Sequence, residues 1–170
     1  SYELYGEPIE KAFPDLLHCE TIHARSSIHN WRIRPHRHHG LFQFFWLKQG
    51  SVIASIEGRE RQLQAPAALM LAPLVVHGFR FEPETQGWVL TLPRASLDQA
   101  MAFGGELTGV LQGGFCQEMS SSPSSGGGLA SLFDALTQEF SGQRPGRAQM
   151  LIALAGQIAV WFARAISDGR

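Results

Sequence analysis

The sequence predicts a mainly β fold, an antiparallel sandwich or barrel, that is followed by two α-helices. The first observation is a series of short apolar segments across residues 20–93, separated by turn signals at spacings near ten residues. No helical segment lies between them, which disfavours alternating βαβ units. The second observation is a helical periodicity of apolar residues after residue 128. With 170 residues, 44% of them hydrophobic, the chain is long enough to bury one core.

The predicted strands are apolar and bulky. They include Leu41–Leu47, Ser51–Ile56, Leu69–Leu71 and Trp88–Leu92. Between two further segments, Glu57-Gly58 predicts a tight hairpin turn, because glycine adopts a positive φ without steric cost. The aromatic run from Phe42 to Trp46 is typical of a strand that is buried on both faces.

The composition changes after residue 95. Ser96 predicts the N-cap of a short helix through Met101, which Gly104-Gly105 would end. Residues 120–128 consist of serine, proline and glycine and predict a flexible linker. We therefore divide the chain into a barrel-like unit at 1–95, a short helix and linker at 96–128, and a two-helix element at 129–167.

The two C-terminal helices differ in how apolar they are. The first has one apolar stripe from Leu129 to Phe140 and ends at Gly142. The second, Ala148–Ile166, is apolar around most of its circumference, so it requires cover on two sides. We therefore predict a homodimer, unless the helix is central to the core of a monomer. The predicted dimer contacts are Leu151, Leu154, Ile158, Trp161 and Phe162.

Charge and composition exclude several classes of protein. Fourteen basic and fifteen acidic residues give a net charge of −1, whereas a free-standing nucleic-acid binder usually carries a basic excess. Cys19 and Cys116 are too few for a disulfide framework. No apolar run approaches the ~18 residues of a membrane span, and no signal peptide is recognisable. We predict a cytoplasmic domain without a membrane partner, and the absence of an initiating methionine suggests a fragment.

Histidines cluster in the first half of the chain, since six of the seven lie at or before His39. His36 and His38 are two residues apart, so on a strand they point to the same face. Gln43 follows, and His77 ends a second apolar segment. Such side chains can converge inside a small barrel, where they would hold a metal or bond to a polar ligand.

This spacing resembles the cupin family. The first cupin motif, GxxxxxHxHxxxxExxxxxxG, is matched by His36, His38, Gln43 and Gly50. Pro73 and His77 match the second motif loosely. The resemblance implies a cupin-type antiparallel barrel, whose enzymes hold a metal with three histidines and one carboxylate. Because Gln43 stands in place of that carboxylate, the anionic ligand is lost, and we predict no metal, no cofactor and no catalytic residue.

A longer part of the sequence is similar to the arabinose-binding-type sensory domain of AraC/XylS-family transcriptional regulators. The similar segments are Trp31–His38, Leu41-Phe42-Gln43, Glu57-Gly58 and Leu71–Phe79. Within that family, Leu4-Tyr5-Gly6-Glu7 and Val76–Phe81 resemble regulators of hydroxybenzoate catabolism. The resemblance implies that the barrel binds a small aromatic carboxylate and that the following helices dimerise. It also implies DNA binding only through a C-terminal helix-turn-helix module, which this chain does not contain.

A hydroxybenzoate would require an aromatic wall, polar partners and a charge. The predicted wall comprises Phe45, Phe79 and Trp88, and the predicted polar partners are His36, His38, Gln43 and His77. A buried carboxylate also requires a charge partner. Arg34 is the first candidate, because it shares a face with His36 if the strand is regular through Pro35.

Two other functions remain open from the residues. One is a metal-dependent cupin enzyme, a dioxygenase or an isomerase, with the metal on His36, His38 and His77. The other is a cupin-like domain that binds a sugar or another neutral small molecule. A ligand screen run beside a metal analysis separates these alternatives from a sensor of aromatic acids.

Overall fold

The computed structural model describes the backbone at residues 3–4, 7–8, 16–23, 32–36, 40–102, 107–120 and 128–169. Side chains are described over the same ranges, except at 3–4, 7–8 and 32–36. The strands are β1 Glu3–Leu4, β2 Glu7–Pro8, β3 His18–Thr21, β4 Arg32–His36, β5 Leu41–Gln49, β6 Ser51–Ile56, β7 Arg59–Gln64, β8 Ala67–Leu71, β9 His77–Phe81, β10 Gln86–Pro93 and β11 Gly114–Glu118. The helices are α1 Arg94–Ala100, α2 Leu129–Ser141 and α3 Arg147–Asp168.

Two antiparallel sheets form the body of the domain. One has the strand order β11-β8-β5-β10-β3, and the other has the order β4-β9-β6-β7. Every strand pair in them is antiparallel. The predicted antiparallel β fold with two C-terminal helices is therefore confirmed. Within the described ranges no strand pair joins the two sheets, so their arrangement is a cupin-like sandwich and not a closed barrel.

Strand β5 lies between two layers of the domain. The Phe45 ring centroid is 5.0 Å from that of Phe79 on β9, so the side of β5 that carries Phe45 packs against the four-stranded sheet. The Phe44 ring is 5.1 Å from Phe162 of α3, so the opposite face looks toward the helices. We call the side of β5 that carries Phe45 the inner face and the side that carries Phe44 the helix-facing side. The domain is thus built as helices, a five-stranded sheet and a four-stranded sheet, in that order.

The β6–β7 hairpin has the predicted turn. Ile56 pairs with Arg59, which leaves the two-residue loop Glu57-Gly58. Glu57 has a φ of 50° and Gly58 a φ of 79°. Positive φ at both loop residues is the requirement of a type I′ turn, whose twist matches that of the flanking strands.

Strand β11 was not predicted and lies in the stretch that we assigned to a short helix and a linker. It pairs with β8 at the edge of the five-stranded sheet, from Gly114 opposite Leu71 to Glu118 opposite Ala67. Its side chains are exposed or half-buried, so it lacks the apolar alternation that marks the other strands. The core of the predicted linker, 121–127, lies outside the described residues.

The first helix begins earlier than predicted. It spans Arg94–Ala100 with Pro93 at the N-cap, where no side chain accepts a capping hydrogen bond. The Ser96 hydroxyl instead donates to the Leu16 carbonyl at 2.7 Å. The prediction of a Ser96 cap was wrong, because a distant backbone group takes the hydroxyl that a cap would use. The predicted stop at Gly104-Gly105 falls outside the described residues.

The two C-terminal helices form where they were predicted. Helix α2 runs from Leu129 to Ser141 with Gly142 at the C-cap. Helix α3 begins one residue before and ends two residues after the predicted Ala148–Ile166. By length and composition α3 is also able to cross a membrane, with a mean hydropathy of 1.6, which a count of uninterrupted apolar residues had missed. Seven of its side chains lie in the core of the domain, which accounts for this apolar character.

The structure corrects the choice of dimer contacts. Leu151, Ile158 and Phe162 are fully buried within the single chain, and Leu154 is 7% exposed. Side chains that already pack inside one chain are not available to a second copy. Of the five predicted contacts, Trp161 alone is partly exposed.

Candidate ligand-binding site in the sandwich interior

Three buried polar side chains face the space between the two sheets. Gln43, His77 and Thr91 are 0%, 1% and 1% exposed. Gln43 and Thr91 are register partners on β5 and β10, two residues from the inner-face pair of Phe45 and Val89. His77 lies two residues before Phe79 on β9, so the two side chains share a face. We call these three residues the polar layer.

The polar layer spans both sheets at one end of the sandwich. In the five-stranded sheet, Gln43 pairs with Leu71, and Leu71 pairs with Gly114. In the four-stranded sheet, His77 pairs with Ile56. These two rows touch, since a Cβ added at Gly114 would lie 2.6 Å from Ile56 Cγ2. Gln43 and His77 therefore belong to rows that meet at the same end of the sandwich.

One end of the Gln43 side-chain amide makes a hydrogen bond, whereas the other end makes none among the described residues. Its Nε2 donates to Thr91 Oγ1 over 3.4 Å. Its Oε1 is buried and has no hydrogen-bond partner among the described residues. An unsatisfied buried acceptor costs about 1–3 kcal/mol of folding free energy. Gln43 thus presents an acceptor to the interior that a bound group able to donate would satisfy.

His77 is held in one tautomer by the loop that precedes its strand. Its Nδ1 lies 2.8 Å from the Val75 carbonyl oxygen, which only accepts hydrogen bonds. The proton is therefore on Nδ1, and in the neutral ring Nε2 carries the lone pair. A histidine held in this way can accept a hydrogen bond from a ligand or coordinate a metal through Nε2.

Aromatic rings extend the site away from the polar layer. Phe79 lies 5.6 Å from His77 and 5.5 Å from Phe81, measured between ring centroids. Phe45 faces them from the other sheet and meets the Phe79 ring at an interplanar angle of 63°. Phe45, Phe79 and Phe81 form an aromatic wall, and such rings pack favourably against another flat ring.

Other buried polar side chains have structural explanations. Thr85 Oγ1 donates to the Glu82 carbonyl at 2.7 Å and accepts from the Ser51 backbone N–H at 3.3 Å. It thereby closes the turn around Gly50, where an added Cβ would lie 2.4 Å from Thr85 Oγ1. Hydrogen bonds within the fold explain Thr85, whereas they leave the Gln43 carbonyl without a partner among the described residues.

The predicted residues on β4 are described through their backbone. His36 pairs with His77 across the β4–β9 ladder, so the two positions adjoin. The register shifts between Ile33 and His36, so β4 has an irregularity at Arg34-Pro35 and is not the regular strand on which the choice of Arg34 depended. The side chains of Arg34 and His36, and the whole of His38, lie outside the described residues.

The structure does not bring Trp88 to the polar layer. Trp88 is the register partner of Trp46, which alternates with Phe45 and therefore lies on the helix-facing side. Its assignment to the aromatic wall is corrected on this ground. The sequence identified a bulky aromatic residue but not the direction in which its strand would turn it.

An open groove lies on the helix-facing side of the five-stranded sheet. This open groove has a volume of about 1220 Å³ and lies among the helices and β11. Its lining includes Met101, Ile152, Val160, Trp161 and Arg164. No residue of the polar layer contributes to it.

Residues 18–158 match the family model of the AraC-like ligand binding domain. The chain belongs to this family. The matched stretch begins at β3 and ends within α3, so it contains the polar layer and the aromatic wall. A search of curated proteins found no relative that matches this AraC-like domain.

Solved structures resemble this AraC-like domain in fold. ToxT from Vibrio cholerae superposes with a TM-score of 0.52 at 7% identity, over 91% of this chain and 56% of ToxT. The AraC-like transcriptional activator CuxR gives a TM-score of 0.43 at 11% identity, over 76% of this chain and 43% of CuxR. KdgF from Halomonas sp. gives 0.34 at 29% identity, over 36% of this chain and 57% of KdgF. The chain thus spans about half the length of ToxT.

Sequence reasoning missed Thr91. The residue lies in an apolar segment, Trp88–Leu92, and was treated as part of a buried strand. Its signal was alternation, because Val89 and Thr91 share a face and a hydroxyl on a buried face requires a partner.

Proposed function

We propose that this AraC-like domain is the effector-binding and dimerisation part of a bacterial transcription regulator, and that it is not an enzyme. Its effector is a small aromatic carboxylate such as a hydroxybenzoate. The ring lies against Phe45 and Phe79, and its polar substituents meet Gln43, His77, His36 and His38. The protein acts in the cytoplasm, and DNA is bound by a separate helix-turn-helix module.

The observation that supports an interior site is the Gln43 carbonyl oxygen, which lies in an aromatic surrounding and has no partner in the part of the chain that the structure describes. A fold gains no stability from a buried acceptor that lacks a donor, since the desolvation cost is not offset. A ligand that supplies the donor offsets this cost only when bound, which is the behaviour expected of a sensor. The AraC-like family supports the same reading, because its defining property is ligand binding.

A carboxylate on the effector agrees with one related structure. ToxT, which shares this fold, was crystallised with (E)-4-(8-methylnaphthalen-1-yl)but-3-enoic acid, an aromatic ring that carries a carboxylic acid. In this chain Arg34 is our candidate partner for the carboxylate, since its strand β4 pairs with the strand of His77. A guanidinium suits this role, because it binds a carboxylate through two parallel hydrogen bonds.

A thermal-shift screen of benzoates, with sugars as the neutral comparison, tests this function. A ligand at about 100 times its Kd adds about 2.7 kcal/mol to the free energy of unfolding. We expect stabilisation by at least one hydroxybenzoate and none by sugars. Stabilisation by sugars alone would contradict the proposal.

A metal-dependent cupin enzyme is the competing function, and the His77 tautomer is the observation that favours it. Among the described residues no group of three His, Cys, Asp or Glu side chains is placed to hold a metal. We predict that the purified domain carries no stoichiometric transition metal, because Gln43 supplies no negative charge. Mass spectrometry after dialysis against chelator measures this. A metal-to-protein ratio near one that His36→Ala abolishes would favour the enzyme.

For dimerisation we propose the open groove, with a second copy of this chain as its occupant. The exposed side of α3 that lines it is apolar at Ile152, Val160 and Trp161. Arg164 and Asp168 supply one charge of each sign, so two identical copies can meet without net repulsion. A two-fold axis would bring the same face of each helix together.

The matched pair Ala153→Glu and Ala130→Glu tests this contact. Both alanines are exposed helix residues, but only Ala153 lines the groove. Sedimentation should show dimers for the wild type and Ala130→Glu, and monomers for Ala153→Glu. Dimers that persist in Ala153→Glu would move the contact to another surface.

A further inference from the structure

The Gln43–Thr91 pair presents an acceptor and a donor side by side. The hydrogen bond from Gln43 Nε2 uses a lone pair of Thr91 Oγ1, and within the described ranges the Thr91 proton remains to be donated. Among the same residues, Gln43 Oε1 remains to accept. Both side chains are at most 1% exposed, so bulk water does not satisfy these atoms.

One common substituent matches this pair. A hydroxyl group accepts through a lone pair and donates through its proton, so it can bond to Thr91 and Gln43 at once. An ionised carboxylate only accepts, and it would bring negative charge against the Gln43 oxygen. An unsubstituted ring edge offers neither bond and leaves both atoms unsatisfied.

We propose that Gln43 and Thr91 select effectors that carry a hydroxyl group, with Thr91 as the positioning residue. This inference rests on the proposed function, because it assumes an aromatic acid in the sandwich interior. Thr91 holds Nε2 and so turns Oε1 toward the ligand. It follows that the effector's carboxylate lies away from this pair, on the side of the polar layer where β4 and His77 adjoin.

Selection by such a site acts mainly against ligands that lack the hydroxyl group. A site built to bond a substrate hydroxyl rejects the analogue that lacks it, because the site's own polar groups are then left unpaired. The discrimination is therefore carried by the loss of affinity for benzoate, not by an unusual affinity for its hydroxylated form.

Calorimetry with benzoate and the monohydroxybenzoates tests the inference on the wild type, Thr91→Val and Thr91→Ser. Valine matches the shape of threonine but lacks the hydroxyl, whereas serine keeps it. For the wild type we expect the best hydroxybenzoate to bind about 10- to 100-fold more tightly than benzoate. Thr91→Val should bind both within about threefold, and Thr91→Ser should keep most of the discrimination.

The outcomes separate the two claims. If the wild type binds benzoate and every hydroxybenzoate equally, this inference is overturned while an aromatic-acid sensor stands. The same holds if Thr91→Val keeps the full discrimination. If no aromatic acid binds to the wild type, both claims are overturned.

A second measurement does not depend on a ligand. The melting temperature of the double variant Gln43→Leu/Thr91→Val without ligand should equal or exceed that of the wild type, because both hydrogen-bonding partners are replaced together by apolar groups of similar shape. A marked fall would show that the pair is needed by the fold itself, which would overturn a role in selection.

Discussion

The two faces of β5 are packed according to different requirements. On the helix-facing side, Phe42 and Phe44 stack at a centroid distance of 6.4 Å, and Phe44 meets Phe162 of α3. On the inner face, Phe45 follows Gln43, a buried amide whose oxygen has no partner among the described residues. The buried residues of β5 are thus apolar on the helix-facing side, whereas on the inner face they include Gln43, whose burial lowers the stability of the fold.

The two faces of this sheet differ in what they contribute: one stabilises the fold, and the other carries the proposed binding site. Apolar packing stabilises a fold at every contact, whereas an unsatisfied buried acceptor lowers its stability. The helix-facing side is therefore the support, and the inner face carries the binding site that we propose. The groove among the helices lies on the supporting side, so we assign it to contact between copies and not to the effector.

The largest expected effect concerns the supporting side. Phe162→Ala removes the ring that contacts both Phe44 and Phe115. We expect the free energy of unfolding to fall by about 3–5 kcal/mol, as for other buried phenylalanines. Chemical denaturation measures this. Met150→Ala is the control on the same helix, because Met150 is 49% exposed and should change stability by no more than about 0.5 kcal/mol. Similar losses for the two variants would contradict the division of the sheet.

The next effect distinguishes the two kinds of buried polar group. His77→Leu should weaken effector binding by about 1–3 kcal/mol, because a polar group of the ligand loses its partner. Thr85→Val, in contrast, should lower stability by a similar amount through the turn at Gly50 and leave affinity unchanged. Calorimetry and denaturation on both variants check this. Unchanged affinity in His77→Leu would place the effector elsewhere.

The smallest effect reports on thiol burial on the two faces of the five-stranded sheet, where Cys19 shares the row of Phe44 and Cys116 the row of Phe45. Burial raises the pKa of Cys19 to about 12, with a smaller contribution from Glu20. Burial also raises the pKa of Cys116 to about 11, partly offset by the Arg61 guanidinium. Only the thiolate is alkylated, so labelling of both should be slow at pH 8 and should still accelerate above pH 9, with Cys116 ahead. A rate that levels off near pH 9 would contradict this burial.

The sequence predicted those parts of the fold in which local pattern and tertiary packing agree. Ser51–Ile56 and the Glu57-Gly58 turn follow from apolar runs and glycine chemistry alone. Strand β11 could not be predicted in this way, because its half-exposed side chains carry no alternation and its pairing with β8 is tertiary. The Ser96 cap failed for a related reason, since its hydroxyl bonds to a residue distant in sequence.

The sequence predicted which residue types form the candidate site better than it predicted which way each side chain points. Phe45 and Phe79 meet across the two sheets, and Gln43 and His77 lie two residues from them on the same faces, because spacing on a strand fixes the face. Trp88 does not lie on these faces, since its orientation depends on the register with β5. The dimer contacts on α3 failed similarly. Periodicity reveals that a helix is apolar on two sides, but it does not reveal which side the chain itself covers.

The most direct test of an interior effector site is a crystal structure of the domain with a hydroxybenzoate that stabilises it. We predict the ring against Phe45 and Phe79, with a ligand hydroxyl within hydrogen-bond distance of Gln43 Oε1. A ligand found in the groove beside Trp161, with the polar layer unchanged, would contradict the account.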